Sequence, residues 1–298
     1  MIRIRVPATM ANVGPGFDCM GIALGLYNYI ELEETTSGLQ VENCGRDDSD
    51  LPMDETNLVV KSMRTYFDRV AMKPAGLFVR VTNDIPVSRG MGSSAACIVG
   101  GLVAANQLAG DLLSREALLQ LAVELEGHPD NVTPALLGGV VVSSSDEQGT
   151  DYIRFEVPTE LECLMAIPNV SLSTKMAREA LPKEVSFGDA VYNVGKAALL
   201  TGALMQGKYE IVEKALGDRL HQPYRSKLLP SLEYIYQKSR EKKLNTLIIS
   251  GAGPTLAYLL LPGSRHRQEE FISLLKETQE TWELKTLRGD NEGAVCID

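Results

Sequence analysis

A two-domain α+β chain is predicted by three observations. Stretches of alternating apolar and polar residues recur between stretches with helical apolar spacing, from one end of the sequence to the other. The length of 298 residues is enough for two separate cores. The composition shifts near residues 145–160, where Ser143-Ser144-Ser145-Asp146-Glu147-Gln148-Gly149 and Pro158-Thr159-Glu160 read as surface turns. The predicted domains are therefore residues 1–155 and residues 156–298.

Residues 2–6 alternate as a strand, and residues 29–34 form a second. Between them lies Asn12-Val13-Gly14-Pro15-Gly16-Phe17-Asp18, a turn with two glycines and a proline. Residues 57–70 are helical, with Leu58, Met63 and Phe67 among the apolar positions, and residues 77–82 alternate as a strand. Residues 95–108 are apolar on every face, as a buried helix is. Ser114 caps a helix over 115–126, with Glu116 suited to its first turn. A strand at 138–143 ends the first half. Beyond the boundary come a strand at 163–167 and helices at 187–205, 209–216 and 231–242. Strands at 246–250 and 256–261 are joined by Gly251-Ala252-Gly253-Pro254-Thr255. A helix at 267–279 and short strands near Leu284 and Val295 close the chain.

Composition excludes several classes. Apolar residues at 44% and charged residues at 23% argue against disorder. The net charge of −10, from 29 basic and 39 acidic side chains, leaves no basic block for nucleic acid. No apolar run is long enough to span a membrane. The first residues alternate as a strand and lack the pattern of a signal peptide. Five dispersed cysteines form neither a disulfide framework nor a zinc motif, so a reducing cytoplasm is expected.

The segment Ile85-Pro86-Val87-Ser88-Arg89-Gly90-Met91-Gly92-Ser93-Ser94-Ala95-Ala96 carries the most chemistry. Gly90 and Gly92 permit positive φ and close backbone approach. The helix that follows presents N–H groups without intrahelical partners at the positive end of its dipole. A polyphosphate suits that position. A P-loop would need Gly-Lys-[Ser/Thr], and a dinucleotide fingerprint a third glycine; both are missing. Ser94 in Gly92-x-Ser94-x-Ala96 is a weak fit to an acyl-hydrolase elbow, because Ala96 replaces glycine and Pro86 interrupts the leading strand.

Three segments in order make the chain resemble the GHMP small-molecule kinases. They are Pro7-Ala8-Thr9-Met10-Ala11-Asn12-Val13-Gly14-Pro15-Gly16-Phe17-Asp18, the loop of residues 85–96, and Ser250-Gly251-Ala252-Gly253-Pro254-Thr255. The first segment, together with Glu126-Gly127-His128-Pro129-Asp130-Asn131-Val132-Thr133-Pro134-Ala135, is similar to the homoserine-phosphorylating members. The resemblance implies an N-terminal α/β domain with the phosphate loop and a C-terminal ferredoxin-like α/β sandwich. It implies phosphorylation of the L-homoserine side-chain hydroxyl by ATP with Mg²⁺, on the path to threonine, and it suggests a homodimer.

It also implies roles for residues. Asn12 and Asp18 match positions that hold the hydroxyl and the polar end of the substrate; Arg178 and Arg225 match arginines that hold its carboxylate. His128 and Thr174 match further substrate-side positions. Nucleotide contacts are expected from the loop (Pro86, Val87, Ser88, Arg89, Gly90, Met91, Gly92, Ser93, Ser94, Ala95 and Ala96), with Asn57 near the adenine. Ser94, or alternatively Ser93, is the expected Mg²⁺-side hydroxyl, and Glu124 is favoured over Glu126 as the metal carboxylate. Several relatives place a basic Asp where this chain has Asn131, and a neutral amide is no general base. Transfer is therefore expected to run on positioning and charge stabilisation, with Asn12 and Asn131 orienting the hydroxyl.

Overall fold

The computed structural model describes residues 1–46 and 51–297. In chain order its first half contains β1 (Ile2–Ala11), β2 (Met20–Thr35), β3 (Gly38–Gly45), α1 (Leu58–Arg69), β4 (Gly76–Asn83), α2 (Ser93–Leu108), α3 (Arg115–Glu126), α4 (Pro129–Leu137), β5 (Val140–Asp146) and β6 (Gly149–Phe155). The second half contains β7 (Glu162–Pro168), α5 (Thr174–Glu179), α6 (Phe187–Met205), α7 (Tyr209–Ala215), α8 (Gln222–Arg225), α9 (Pro230–Glu241), β8 (Leu247–Ile249), β9 (Leu256–Leu260), α10 (Gln268–Lys276), β10 (Trp282–Arg288) and β11 (Val295–Cys296).

β1 and β2 are antiparallel and form the spine of the first sheet, ordered β11-β1-β2-β4-β3, with the β5–β6 hairpin branching from β2. Both spine strands outrun their predicted bounds. Residues 7–11 of β1 are buried on both faces, so the polar alternation stops while the strand continues. The register shifts between Pro7 and Ala8, where proline cannot donate to the ladder. β2 is long because its free edge serves two partners, residues 28–35 pairing with β4 and residues 20–22 with β5.

Some elements have no counterpart in the sequence reading. β3 runs parallel to β4 at the sheet edge, with Val41 its one buried apolar side chain, so it lacks an alternating signature. α4 has Pro129 in its first turn and Pro134 inside it, a pattern that reads as a break. The predicted turn at 143–149 is the tip of the β5–β6 hairpin. The terminal strand β11 pairs with β1, joining Val295 to Arg5 and Cys296 to Ile4, so the chain ends in the first sheet.

The second sheet is antiparallel throughout, in the order β10-β7-β9-β8. Its strands follow one another as β, helices, β, β, α, β, with the spatial order fourth-first-third-second, which is the ferredoxin-like arrangement. Cys163, Met165 and Ile167 of β7 face a core continuous with the first sheet, while Leu164 and Ala166 face a second core under α9 and α10. α2 runs through the larger core, against β1, β2 and α1. It comes close because Gly100 and Gly101 have no side chains: a Cβ on Gly101 would stand 2.6 Å from the Val59 carbonyl oxygen. Alanine favours helix over glycine by about 1 kcal/mol. Backbone cannot yield as a flexible side chain can, so Gly101→Ala is expected to lower stability by about 1–3 kcal/mol, read by urea denaturation. A more stable variant would contradict this packing.

Candidate active site

The loop between β4 and α2 is fixed by backbone contacts from two other segments. Thr9 N–H donates to the Met91 carbonyl (3.1 Å), Ser250 Oγ to the Gly90 carbonyl (2.6 Å), Thr255 N–H to the Arg89 carbonyl (3.2 Å), and Gly251 N–H to the Ala11 carbonyl (2.9 Å). Gly90 has φ +75°, and a Cβ there would lie 2.3 Å from the Ser250 oxygen. Gly92 has φ +72° and caps α2 without a side-chain bond. The first N–H groups of this 16-residue helix are thus left for a ligand.

The loop forms one wall of a cleft of ≈ 940 Å³. Of the loop residues expected to meet nucleotide, residues 86–94 line it, whereas Ala95 and Ala96 turn into the core. The Arg89 guanidinium is occupied by the carbonyls of Val87, Pro168 and Asn169, so it braces the loop against β7. Leu51, Leu58, Val87 and Cys97 make one end of the cleft apolar. Asn57 is not part of that lining. Its Oδ1 accepts from Val59 N–H as the α1 cap, and its Nδ2 donates to the Pro52 carbonyl (2.8 Å). Its amide serves the backbone, a local demand equally compatible with the sequence.

Asn83, which the sequence reading passed over, lines the cleft instead. Asn28 Oδ1 accepts two backbone N–H groups, from Asp84 and Ile85, so Asn28 must present its Nδ2 to Asn83 Oδ1. Asn83 Nδ2 is left without a partner. An Asn between a strand and Ile-Pro was the available signal.

At the other end, Asn12 and Asp18 both adopt φ +55°, and Asn12 Oδ1 accepts from Asp18 N–H (2.9 Å), closing the turn. Arg178 binds Asp18 through two parallel bonds of 2.8 Å. Arg225 is buried beside it, 1% exposed, and its Nη1 donates to the Gly251 carbonyl (2.9 Å). Burial pulls the Arg225 guanidinium down to about 10, so it stays charged near neutral pH. Both arginines lie over the Phe17 ring, with Cζ 5.8 Å from its centroid for Arg178 and 5.1 Å for Arg225. Thr174, at the start of α5, borders the same end of the cleft.

Asn131 sits between these ends. Its Oδ1 accepts from Thr9 Oγ (2.7 Å), and its Nδ2 faces Asp130 Oδ1 (3.4 Å). Asp130 is buried and also pairs with His128 Nδ1 (2.6 Å). Burial acts to lower the His128 value, but the bond to Asp130 and its charge outweigh it and hold the ring above the ordinary imidazole range.

Glu124 does not reach the site. It is exposed and paired with Arg69 (3.0 Å). Glu126, two residues on, takes the bond from Ser94 Oγ (3.0 Å) and lines the cleft. Two residues turn a helix by about 200°, so the two carboxylates face opposite sides. Ser94 therefore meets a carboxylate and no imidazole, which removes the hydrolase reading.

An open helix N-terminus and two arginines on one cleft are the arrangement expected of a kinase of small molecules. Residues 57–139 match the family described as "GHMP kinases N terminal domain". The chain is 45% identical over 299 residues to a homoserine kinase of Caldicellulosiruptor saccharolyticus, covering 100% of this chain and 97% of that one. It is 43% identical over 297 residues to one of Clostridium botulinum, covering 99% and 98%. The crystal structure of homoserine kinase from Cytophaga hutchinsonii superposes with a TM-score of 0.88 at 28% identity, covering 99% of this chain and 97% of that one. The chain belongs to the homoserine kinase family.

Burial pushes the Glu126 carboxyl above the ordinary carboxylate range, against smaller opposing effects of His128 and the Ser94 bond. A group with a raised folded pKa favours the fold while protonated and loses that contribution as pH rises through the folded value. Glu126→Gln keeps an acceptor for Ser94 and removes the ionisation. Without metal, this variant is expected to melt above the parent at neutral pH, by a few degrees, with the gap closing below the ordinary carboxylate range. A lower melting temperature at pH 7 would contradict it.

Proposed function

We propose that this chain transfers the γ-phosphoryl group of ATP in line to the side-chain hydroxyl of L-homoserine, without a strong general base. The observation that carries the reading is one cleft lined by the open N-terminus of α2 and by Arg178 and Arg225, with Asp18 bonded to Arg178 behind that lining. The phosphates lie against the loop N–H groups, and the base occupies the apolar end near Leu58 and Cys97. This assigns ATP chiefly to residues 1–155, with residues 156–298 contributing Thr174, Arg178 and Arg225.

Asp18 and Arg178 pair with each other, so neither charge is left alone. A zwitterionic amino acid exchanges that pair for two others: its ammonium meets Asp18, and its carboxylate meets Arg178 and Arg225. Mevalonate, with a carboxylate and no ammonium, leaves Asp18 uncompensated. Asn12, whose Nδ2 remains free after its oxygen binds Asp18 N–H, orients the hydroxyl together with Asn131. Asn131 cannot take a proton, and its amide is held between Thr9 and Asp130. The proton leaves with the phosphorylated product or to solvent, as a loose phosphoryl-transfer transition state permits.

Ser94 Oγ and Glu126 are the residues that fit a Mg²⁺ ion, since Glu126 is a half-buried carboxylate with no salt-bridge partner among the described residues. No cluster of three or more His, Cys, Asp or Glu side chains suited to a metal occurs among the described residues, so phosphate oxygens and water would supply the other ligands. When bound, Mg²⁺ neutralises charge on the phosphates. The cytoplasm is the compartment of this reading; the cysteines are free, and no helix among the described residues is long and apolar enough to cross a membrane. The reading includes a homodimer, for which exposed Phe187, Val191, Val194 and Met205 on α6 offer apolar surface.

The test is a coupled ATP-to-ADP assay with Mg²⁺, comparing L-homoserine with mevalonate, L-serine and L-threonine. Homoserine is expected to exceed the others in kcat/KM by roughly 10³-fold or more. Turnover of none, despite ATP binding, would contradict the assignment. In the same assay Asn131→Ala is expected to lower kcat by roughly 10²-fold, with a smaller rise in KM. An unchanged kcat with only a raised KM would remove Asn131 from the chemistry.

A further inference from the structure

Behind the arginine cluster lies a buried polar network that the reaction itself does not use. His221, just before α8, is 0% exposed. Its Nε2 lies 2.8 Å from the Gly14 carbonyl oxygen, which can only accept, so Nε2 carries the proton. Nδ1 is then an acceptor, and Arg225 Nη1, which can only donate, lies 3.4 Å from it. The tautomer is thus set from both sides. Burial holds the imidazole below its ordinary range, in agreement with a neutral ring.

Asp218 fixes the segment that carries the ring. Its Oδ2 accepts from the backbone N–H groups of His221 (3.1 Å) and Gln222 (2.7 Å), and its Oδ1 from Leu220 N–H and Asn193 Nδ2. Asn193 Nδ2 also reaches the Pro15 carbonyl (3.3 Å). Two successive carbonyls of the Asn12–Asp18 turn are therefore held by side chains from the other half of the chain. The His221 ring stacks on Phe17, with centroids 5.5 Å apart at 27°, and Phe17 is the plate over which Arg225 and Arg178 lie. Arg225 spends Nη1 on Gly251 and His221 and directs Nε at the Ala177 carbonyl (3.5 Å), which leaves Nη2 without a hydrogen-bond partner among the described residues.

We propose that His221 is a positioning residue for the amino-acid substrate, a single buried ring that sets the orientation of Arg225 and the place of the Asn12–Asp18 turn together. The proposal rests on the reading above, in which Arg225 takes the substrate carboxylate. Neither end of the substrate site can shift without breaking a bond to His221. Among the described residues the nucleotide loop has no bond to this ring and meets it only through Arg225 and the Gly251 turn, so ATP binding is expected to change less than substrate binding.

The experiment measures kcat, the KM for L-homoserine and the KM for MgATP in the parent, His221→Leu and His221→Gln. It adds 3-aminopropan-1-ol, which keeps the ammonium and hydroxyl of homoserine but has no carboxylate. In His221→Leu the homoserine KM is expected to rise on the order of 10- to 100-fold, the cost of about 1 Å of misplacement, while the ATP KM stays within about twofold. Preference for homoserine over 3-aminopropan-1-ol is expected to shrink, because Arg225 no longer meets the carboxylate squarely. Gln, whose amide also presents one donor and one acceptor, is expected to recover most of the loss. If His221→Leu does not fold, His221→Phe keeps the stack on Phe17 and is judged by the same criteria. An unchanged homoserine KM, or a parallel rise in both KM values with the preference intact, would overturn the proposal. So would a Gln variant no better than Leu. A parent enzyme that does not turn over homoserine would instead overturn the reading on which the proposal stands, and the proposal with it.

Discussion

Everything at this site depends on the close approach of three backbone segments, possible because glycines stand at the contacts. The end of β1, the loop before α2 and the turn after β8 touch through backbone bonds from Thr9 to Met91, Gly251 to Ala11 and Thr255 to Arg89, and through the Ser250 hydroxyl on the Gly90 carbonyl. A Cβ at Gly90 would collide with Ser250 and Gly253 oxygens, and one at Gly92 with Thr9 Oγ. Those glycines fix a left-handed entry into α2, and that entry leaves the helix N–H groups unused. The anion site is thus a consequence of close packing between two sheets, not of any charged side chain in the loop. Arg89, the one cation there, is engaged with carbonyl groups and acts as a brace.

The other half of the cleft answers a different constraint. Arg225 is buried and the Asp18–Arg178 pair is partly exposed, and an unpaired buried charge is costly. Asp18 and Arg178 store each other, while Arg225 is held by Gly251, His221 and the face of Phe17. A ligand that is itself a paired cation and anion can replace the stored pair at little electrostatic loss. A singly charged ligand cannot. On the proposed function, selectivity then follows from the balance of charge as much as from shape.

The sequence disclosed those parts of the site whose chemistry is local. A Gly-Met-Gly-Ser-Ser run ahead of an all-apolar helix already implies an anion at a helix end, and Asp18 after Gly-Pro-Gly had no obvious local partner. The α+β class and the long helices followed from periodicity. The misses have physical causes. Choosing between Glu124 and Glu126 requires the rotational phase of α3, which the short spacing to His128 does not fix; in the structure Glu126 bonds Ser94 and Glu124 pairs with Arg69. Asn57, expected near the adenine, caps α1 and lies outside the cleft lining; either use satisfies an amide at a helix start. β3 and α4 hide because an edge strand with one buried side chain and a helix with two prolines defeat periodicity. The network of His221, Asp218 and Asn193 is assembled from residues far apart in the chain, which no local pattern reveals.

The central claim is that backbone packing at Gly90 creates the nucleotide site. Gly90→Ala tests it most directly, with MgATP affinity measured by titration calorimetry and circular dichroism establishing that the fold persists. The account predicts a folded protein whose ATP affinity falls by at least about tenfold, because the loop must move away from Ser250 and Gly253. Parent-like ATP affinity in the folded variant would contradict it.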